Sequence, residues 1–264
     1  MRINRLARRI IGLIQTFCLL LLVGLFFVPT TSANQNQGLG IIGFRESREI
    51  YDGVVFEKII SYNQQGEQRA HTVVIESGKL IPVATYGAYV YGGYNLTQMV
   101  ELEEAKGSKV VAAINGDFYD TSNSIPLGAM IVNGRFVTSG NKTLVGFKAD
   151  GTAVHGNASF TVRYNDGTKN TTINHVNKDR KNNTDSIYLY TEDYGTSTKS
   201  TIPGVEVVLQ ANGYLKVGGT VTATVKEVRT NATNTPINPG EMVIGVHANA
   251  ASKISNLTVG TQIT

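Results

Sequence analysis

The alternation of apolar and polar positions divides the chain into a long apolar N-terminal run, one helical stretch and a succession of short β-type stretches. Val54 to Tyr62 and His71 to Glu76 carry strand-forming residues on either side of Gln64-Gln65-Gly66-Glu67, which predicts a hairpin. Lys79 to Thr85 predicts a third strand, and Pro82, which has no N–H to donate, places it at an edge. A helix is predicted from Leu96 to Lys106. Leu96, Met99, Val100 and Leu102 form its apolar side, Asn95 and Gln98 stand in capping-box positions, and Gly107 supplies the stop. The helix leads into Val110 to Ile114, a run too short for a helix and rich in β-branched residues, which predicts a buried strand ended by the turn signal Asn115-Gly116.

After this turn the pattern is β throughout. Strands are expected at Ala129 to Val132 and Arg135 to Thr138, joined by Asn133-Gly134, the pair preferred in type I′ hairpin turns. Further strands follow at Thr143 to Lys148, Ala153 to His155, Ala158 to Tyr164, Ser186 to Tyr190, Val205 to Gln210, Thr220 to Val228 and Met242 to Ala248. Asn174 to Asp185 is expected to be a polar loop, and Val259 to Thr264 the opening of another strand. No period repeats along the chain, which argues against a solenoid or propeller. The class is α+β: strand-rich mixed and antiparallel sheets with one helix at about 96–106, in a domain that is incomplete at its C-terminal end.

The N-terminus has a different character. Arg2, Arg5, Arg8 and Arg9 precede an almost uncharged run from Ile10 to Val28, followed by Pro29 and the small residues Thr31, Ser32 and Ala33. This is the layout of a secretory signal peptide over residues 1–33, with an uncleaved membrane anchor as the alternative. Residues 34–50 are assigned to a flexible leader, polar and glycine-rich at its start, and 51–264 to the domain. The chain as a whole has 24 Lys+Arg against 20 Asp+Glu, a net charge of +4. The four arginines of the signal account for that excess, so the remainder is balanced and nothing in it calls for nucleic acid. The densest basic cluster, Lys178-Asp179-Arg180-Lys181, reads as a solvated loop. Cys18, the only cysteine, lies within the signal run, so the rest has no thiol chemistry, disulfide or Cys-based metal site. Export without disulfides suits a secreted or wall-associated protein of a Gram-positive bacterium, touching the membrane only through an uncleaved signal segment.

Candidate chemistry centres on the turn after Ile114. Asn115, Asp117 and Asp120 bring three oxygen-bearing side chains together, with Gly116 between them and the aromatics Phe118 and Tyr119 interleaved. Such a set suits a general acid or base, a clamp for sugar hydroxyls with an aromatic ring to stack on the sugar, or a hard-cation site; it equally suits an Asx-type turn in which Asn115 and Asp117 bond nearby backbone. The oxygen spacing does not match a calcium-binding EF-hand loop. His71, His155, His175 and His247 are scattered, with no two at metal-ligand spacing, and Arg135, after a hairpin turn, reads as a solvated charge, with a contact to an anion as the alternative. No nucleophile-elbow, phosphate-loop or dinucleotide motif is present.

The segment Ala112-Ala113-Ile114-Asn115-Gly116-Asp117-Phe118-Tyr119-Asp120, followed by Pro126-Leu127-Gly128 and Asn133-Gly134, resembles the signature of the phosphodiester glycosidase family, to which the lysosomal uncovering enzyme belongs. In that family a helix precedes an Asn-Gly-Gly-Phe-Phe type turn, then Pro-x-Gly and a glycine hairpin. Here Asp117 stands where many members have a second glycine, and Tyr119 replaces a phenylalanine. The family's later Arg-x-x-Ala-x-Gly and Asp-Gly-Gly-Gly-Ser type segments do not occur, so the resemblance covers Tyr51 to Thr264 as the first part of the domain.

The implied reaction is hydrolysis of a sugar 1-phosphodiester between the anomeric carbon and the phosphate oxygen, on a wall or exopolysaccharide glycan. The resemblance implies Asp117 and Asp120 as the catalytic carboxylates and Asn115, Gly116, Phe118, Tyr119 and Gly128 as substrate-binding residues. It implies no cofactor, while the oxygen-rich turn leaves a divalent cation such as calcium open. Residues 34–264 alone are expected to show little or no turnover. The competing expectation is a non-catalytic cell-surface polysaccharide-binding module.

Overall fold

A computed structural model describes residues 38–264; the expected signal peptide and residues 34–37 of the expected leader lie outside the described residues. The described residues divide into two compact units between Val74 and Ile75. The class is α+β and strand-dominated, with mainly antiparallel sheets.

The described part of the first unit is built on three antiparallel strands in the order β1 (Ile41–Tyr51), β2 (Val54–Asn63), β3 (Gly66–Ile75). Residues 41–50 were expected to be leader, and they form β1 instead. Their backbone pairs along β2 from Ile41↔Tyr62 to Tyr51↔Val54, so the ladder, and not burial, makes this a strand: every β1 residue is exposed. β2 carries the buried residues of the unit, Val54, Ile59 and Ser61.

The second unit is organised by a six-stranded sheet, in the order β10 (His175–Val176), β11 (Ile187–Thr191), β14 (Glu241–His247), β12 (Gly204–Ala211), β13 (Ala223–Ala232), β15 (Gln262–Ile263). Its pairs are antiparallel except β10 with β11. All five residues of β11 are buried, because the sheet is covered on both faces and alternate side chains enter different clusters. Ile187, Leu189, Val207, Leu209, Ile244 and Val246 pack on one face with Ile254 and Leu257. Tyr188, Tyr190, Val208 and Val243 pack on the other with Val90, Ile125, Val137 and Tyr194. This second face receives the segment that follows the signature turn, through Ile125. A 3₁₀ helix, Ala248–Ile254, absent from the sequence expectation, follows β14 and contributes Ala250 and Ile254 to the core.

Two-stranded antiparallel pieces complete the unit: β4 (Met130–Val132) with β5 (Arg135–Thr138), β6 (Thr143–Phe147) with β7 (Ala153–Asn157), and β8 (Val162–Asn165) with β9 (Asn170–Ile173). Asn133 and Gly134 have φ of 50° and 78°, both in the left-handed region that a type I′ turn requires. Helix α1 (Leu96–Ala105) has the expected reciprocal cap: the Asn95 side chain accepts from the Gln98 N–H at 2.9 Å, and the Gln98 side chain accepts from the Asn95 N–H at 3.0 Å.

Two expected strands are not formed. Lys79 to Thr85 and Val110 to Ile114 run without regular secondary structure, and neither enters a ladder. Ile81, Val83 and Ile114 are exposed, Ile114 at 82%. Apolar, β-branched residues favour extended backbone, but a strand exists only when a neighbouring strand accepts and donates its backbone hydrogen bonds in a ladder. Helix α1 likewise buries no residue. The segment from 174 to 185 differs in the opposite direction. It was expected to be a solvated loop, yet it contains β10, and Arg180 within it is 1% exposed.

Candidate functional site

The signature turn is a small, closed loop. Tyr119 bridges Pro126 in antiparallel fashion, the Leu127 N–H donates to the Phe118 carbonyl at 2.8 Å, and the Asp120 N–H donates to the Ile125 carbonyl at 2.9 Å. The Asp120 carbonyl accepts from the Ser124 N–H at 2.7 Å, and Ser124 takes a φ of 61° to allow it. Ile125, 3% exposed, plugs this loop into the second core face. The apex is therefore held by sheet packing although its own backbone is not in a sheet.

Within that frame the expected site residues separate into two groups. Asp117 and Asp120 are engaged. Asp117 Oδ1 accepts the Phe118 N–H and Oδ2 accepts the Gly128 N–H, both at 2.7 Å. Gly128 is buried, and a Cβ on it would lie 2.5 Å from Asp117 Oδ2, so the close approach requires glycine. Asp120 Oδ1 accepts the Ser122 hydroxyl at 2.6 Å and the Ser122 N–H at 2.9 Å, and these two bonds hold its carboxyl below the usual range. Asn115, Gly116, Phe118 and Tyr119 form the second group and are presented to solvent, with Phe118 at 82% and Tyr119 at 50% exposure.

The structure adds Lys178, which the sequence reading placed in a solvated loop. Its ammonium donates to the carbonyl of Pro126 and lies 3.5 Å from that of Gly128, beneath the signature turn. Burial lowers its pKa to about 8, with Asp117 opposing the shift. Asn177 fixes this position. It is fully buried with φ of 51°, and its side chain donates to the Val137 carbonyl and Thr191 hydroxyl and accepts the Thr191 N–H. Next in the chain, Arg180 forms a wholly buried ion pair with Glu206 at 2.9 Å. Arg180 also donates to the carbonyls of Ile202, Ala232 and Val246, and Glu206 also accepts from Thr198. Sequence could have pointed to these residues only through the pairing of a lone Glu in an apolar strand, Val205-Glu206-Val207, with a basic residue elsewhere.

Arg135 is also not a solvated charge. It donates to Asp193 at 2.8 Å and to Glu192 at 2.9 Å, and lies 4.8 Å from the Tyr214 ring centroid. Asp193 further accepts from the Tyr86 hydroxyl at 2.6 Å. A cleft of about 540 Å³ opens beside this network, lined in part by Tyr89, Thr196 and Asn238. The histidines take separate roles: His71 stands beside Phe56, His175 stacks on Tyr188, and His247 caps the 3₁₀ helix. Among the described residues no group of three or more His, Cys, Asp or Glu side chains is placed to hold a metal ion.

With this geometry in view, the fold has counterparts among solved structures. A chain described as a hypothetical protein from Synechocystis superposes with a TM-score of 0.66 at 18% identity, over 84% of this chain and 40% of that one. A chain described as "Putative exported protein" from Burkholderia pseudomallei K96243 gives 0.52 at 16% identity, over 80% of this chain and 45% of that one. At these identities the likeness is one of fold. The chain spans less than half the length of either structure. No protein-family model and no curated protein matches it. No helix among the described residues is long and apolar enough to cross a membrane.

Proposed function

We propose that the protein is a secreted hydrolase of the phosphodiester glycosidase type, acting on a sugar 1-phosphodiester of a cell-wall or exopolysaccharide glycan. The carrying observation is the 2.7 Å hydrogen bond from the Gly128 N–H to Asp117 Oδ2, which ties the Asn-Gly-Asp-Phe turn to the Pro-Leu-Gly segment as one rigid unit. These are the two motifs on which the resemblance rests. Polar groups on such a unit keep their positions when a substrate arrives.

The chemistry is compatible with the carboxylates as they stand. A phosphodiester leaves as a stable anion, so the bond needs no strong general acid; the larger gain comes from stabilising an oxocarbenium-like centre and directing water to it. Asp120, held ionised by Ser122, serves as base or electrostatic stabiliser. Asn115 contacts sugar hydroxyls, and Phe118 and Tyr119 offer ring faces to the sugar. Asp117 acts as the clasp of the site. Secretion through residues 1–33 into a Gram-positive envelope is the localisation that fits this substrate and the lack of cysteine beyond Cys18.

The alternative, a non-catalytic polysaccharide-binding module, is favoured by one feature: both carboxylates already accept N–H donors from their own turn. The test is release of reducing sugar from an N-acetylglucosamine 1-phosphodiester by the full-length gene product. Asn115→Ala and Asp120→Asn are each expected to cut turnover by about 100-fold. Unchanged turnover in both would remove this turn from the mechanism, and saturable binding without turnover in the unaltered protein would establish the binding module.

A further inference from the structure

Lys178 is a part-buried cation, and Asp117 is the acid whose charge acts on it. Among the described residues it forms no ion pair, and its acceptors are the carbonyl oxygens of Pro126 and Gly128. The neighbouring carboxylate, Asp117, has both oxygens occupied by backbone N–H groups. A lysine ammonium has three N–H donors, so one has no acceptor among the described residues. Burial outweighs the compensation that Asp117 gives, so the ammonium is held in a place where a further negative charge would be favourable.

The surroundings say what that is. Lys178 reaches the Pro126 and Gly128 carbonyls of the segment that Asp117 clasps, and a buried, fully bonded Asn177 fixes its backbone. The same loop carries a second lysine: Lys181 is exposed and acts electrostatically on Asp120 as Lys178 does on Asp117. Two cations therefore run along the two-carboxylate turn. Lys181 is shared with Asp179 at 3.3 Å, whereas Lys178 is not shared with any acid. The buried pair Arg180–Glu206 anchors the loop in the sheet.

We infer that Lys178 is a phosphate-binding residue, whose ammonium receives the anionic oxygen of a phosphoryl group attached to a sugar. This deepens the glycosidase reading and rests on it for the identity of the sugar side of the ligand. Arginine at this position would keep the charge; an apolar side chain of similar length would keep the packing and lose the anion.

The experiment is a ³¹P NMR titration of the full chain with inorganic phosphate and with N-acetylglucosamine 1-phosphate, with N-acetylglucosamine as the uncharged control. Lys178→Met is expected to weaken binding of both phosphates by about tenfold or more, and Lys178→Arg to retain it within about threefold. In the unaltered protein affinity falls as pH rises through about 8, where the ammonium loses its proton. The groups facing it are Asp117 and His175, and the His175 pKa is lowered by burial and by Lys178, away from that window. Wild-type affinity in Lys178→Met, or no saturable phosphate binding by the unaltered chain, overturns the inference. If Lys178→Met does not fold, the Lys178→Arg affinity and the pH series decide. Phosphate binding through Lys178 with no hydrolysis by the full-length product would leave this site standing and remove the glycosidase reading. Hydrolysis at the wild-type rate in Lys178→Met would do the reverse.

Discussion

Asp117 Oδ2 accepts the backbone N–H of Gly128, eleven residues further along, at 2.7 Å, and the position of an added Cβ on Gly128 is 2.5 Å from that same oxygen. The bond and the missing side chain are one requirement. Gly128→Ala is expected to break the clasp and lower stability by about 1–3 kcal/mol, because a part-buried N–H and a carboxylate lose each other. Urea unfolding measures this, with amide exchange at Leu127 and Ala129 reporting the local loosening. An unchanged unfolding midpoint with unchanged protection would show that the clasp carries no load.

The Arg180–Glu206 pair should respond asymmetrically. Arg180→Met leaves a carboxylate at 0% exposure with Thr198 as its remaining donor, and a loss of about 3–5 kcal/mol is expected. Replacing Glu206 by Leu in the same chain removes that orphaned charge and should recover most of the loss. Denaturant midpoints of the two single variants and the double variant form the cycle; a double variant as unstable as Arg180→Met would contradict the account.

Stability should rise with alkalinity over a defined interval. Lys178 titrates at about 8 in the folded chain against 10.5 when unconstrained. Between those values the unfolded chain holds the proton and the folded one does not, so unfolding takes up a proton and its free energy increases with pH. Below about 8 both states are protonated and the unfavourable burial of the ammonium is fully present. Chemical unfolding across this interval checks the sign, with Lys178→Met expected to lack this contribution. The same slope in both proteins would assign it to other groups.

Local chemistry was the legible part of the fold. Asn133-Gly134 specified its turn, Asn95 and Gln98 specified the helix cap, and the apolar runs of β11, β12 and β14 marked the central sheet, because in each the deciding interactions lie within a few residues. Strand status at Ile41–Tyr51 and its absence at 110–114 were not legible, since both depend on a ladder partner and not on side-chain pattern. In the candidate site, the turn residues stood out as a polar cluster after an apolar run. Lys178 and Arg180 did not: in a sequence, two basic residues beside Asp179 look solvated, and only the sheet reveals that Glu206 and Asn177 draw that loop inward.

The exposed backbone at Asn115-Gly116 has a chemical consequence of its own. No hydrogen bond fixes the Asn115 side chain among the described residues, and nothing crowds Gly116 within 4 Å. The glycine nitrogen can therefore swing onto the asparagine amide carbon, expel ammonia and close a succinimide, which reopens to aspartate or isoaspartate. At Asn133-Gly134 the paired strands, and the Gly134 carbonyl's bond from Val217 at 2.9 Å, oppose that swing. The molecule thus carries a slow clock at an exposed polar corner: with age Asn115 becomes an acid and adds a negative charge to the turn that already holds Asp117 and Asp120.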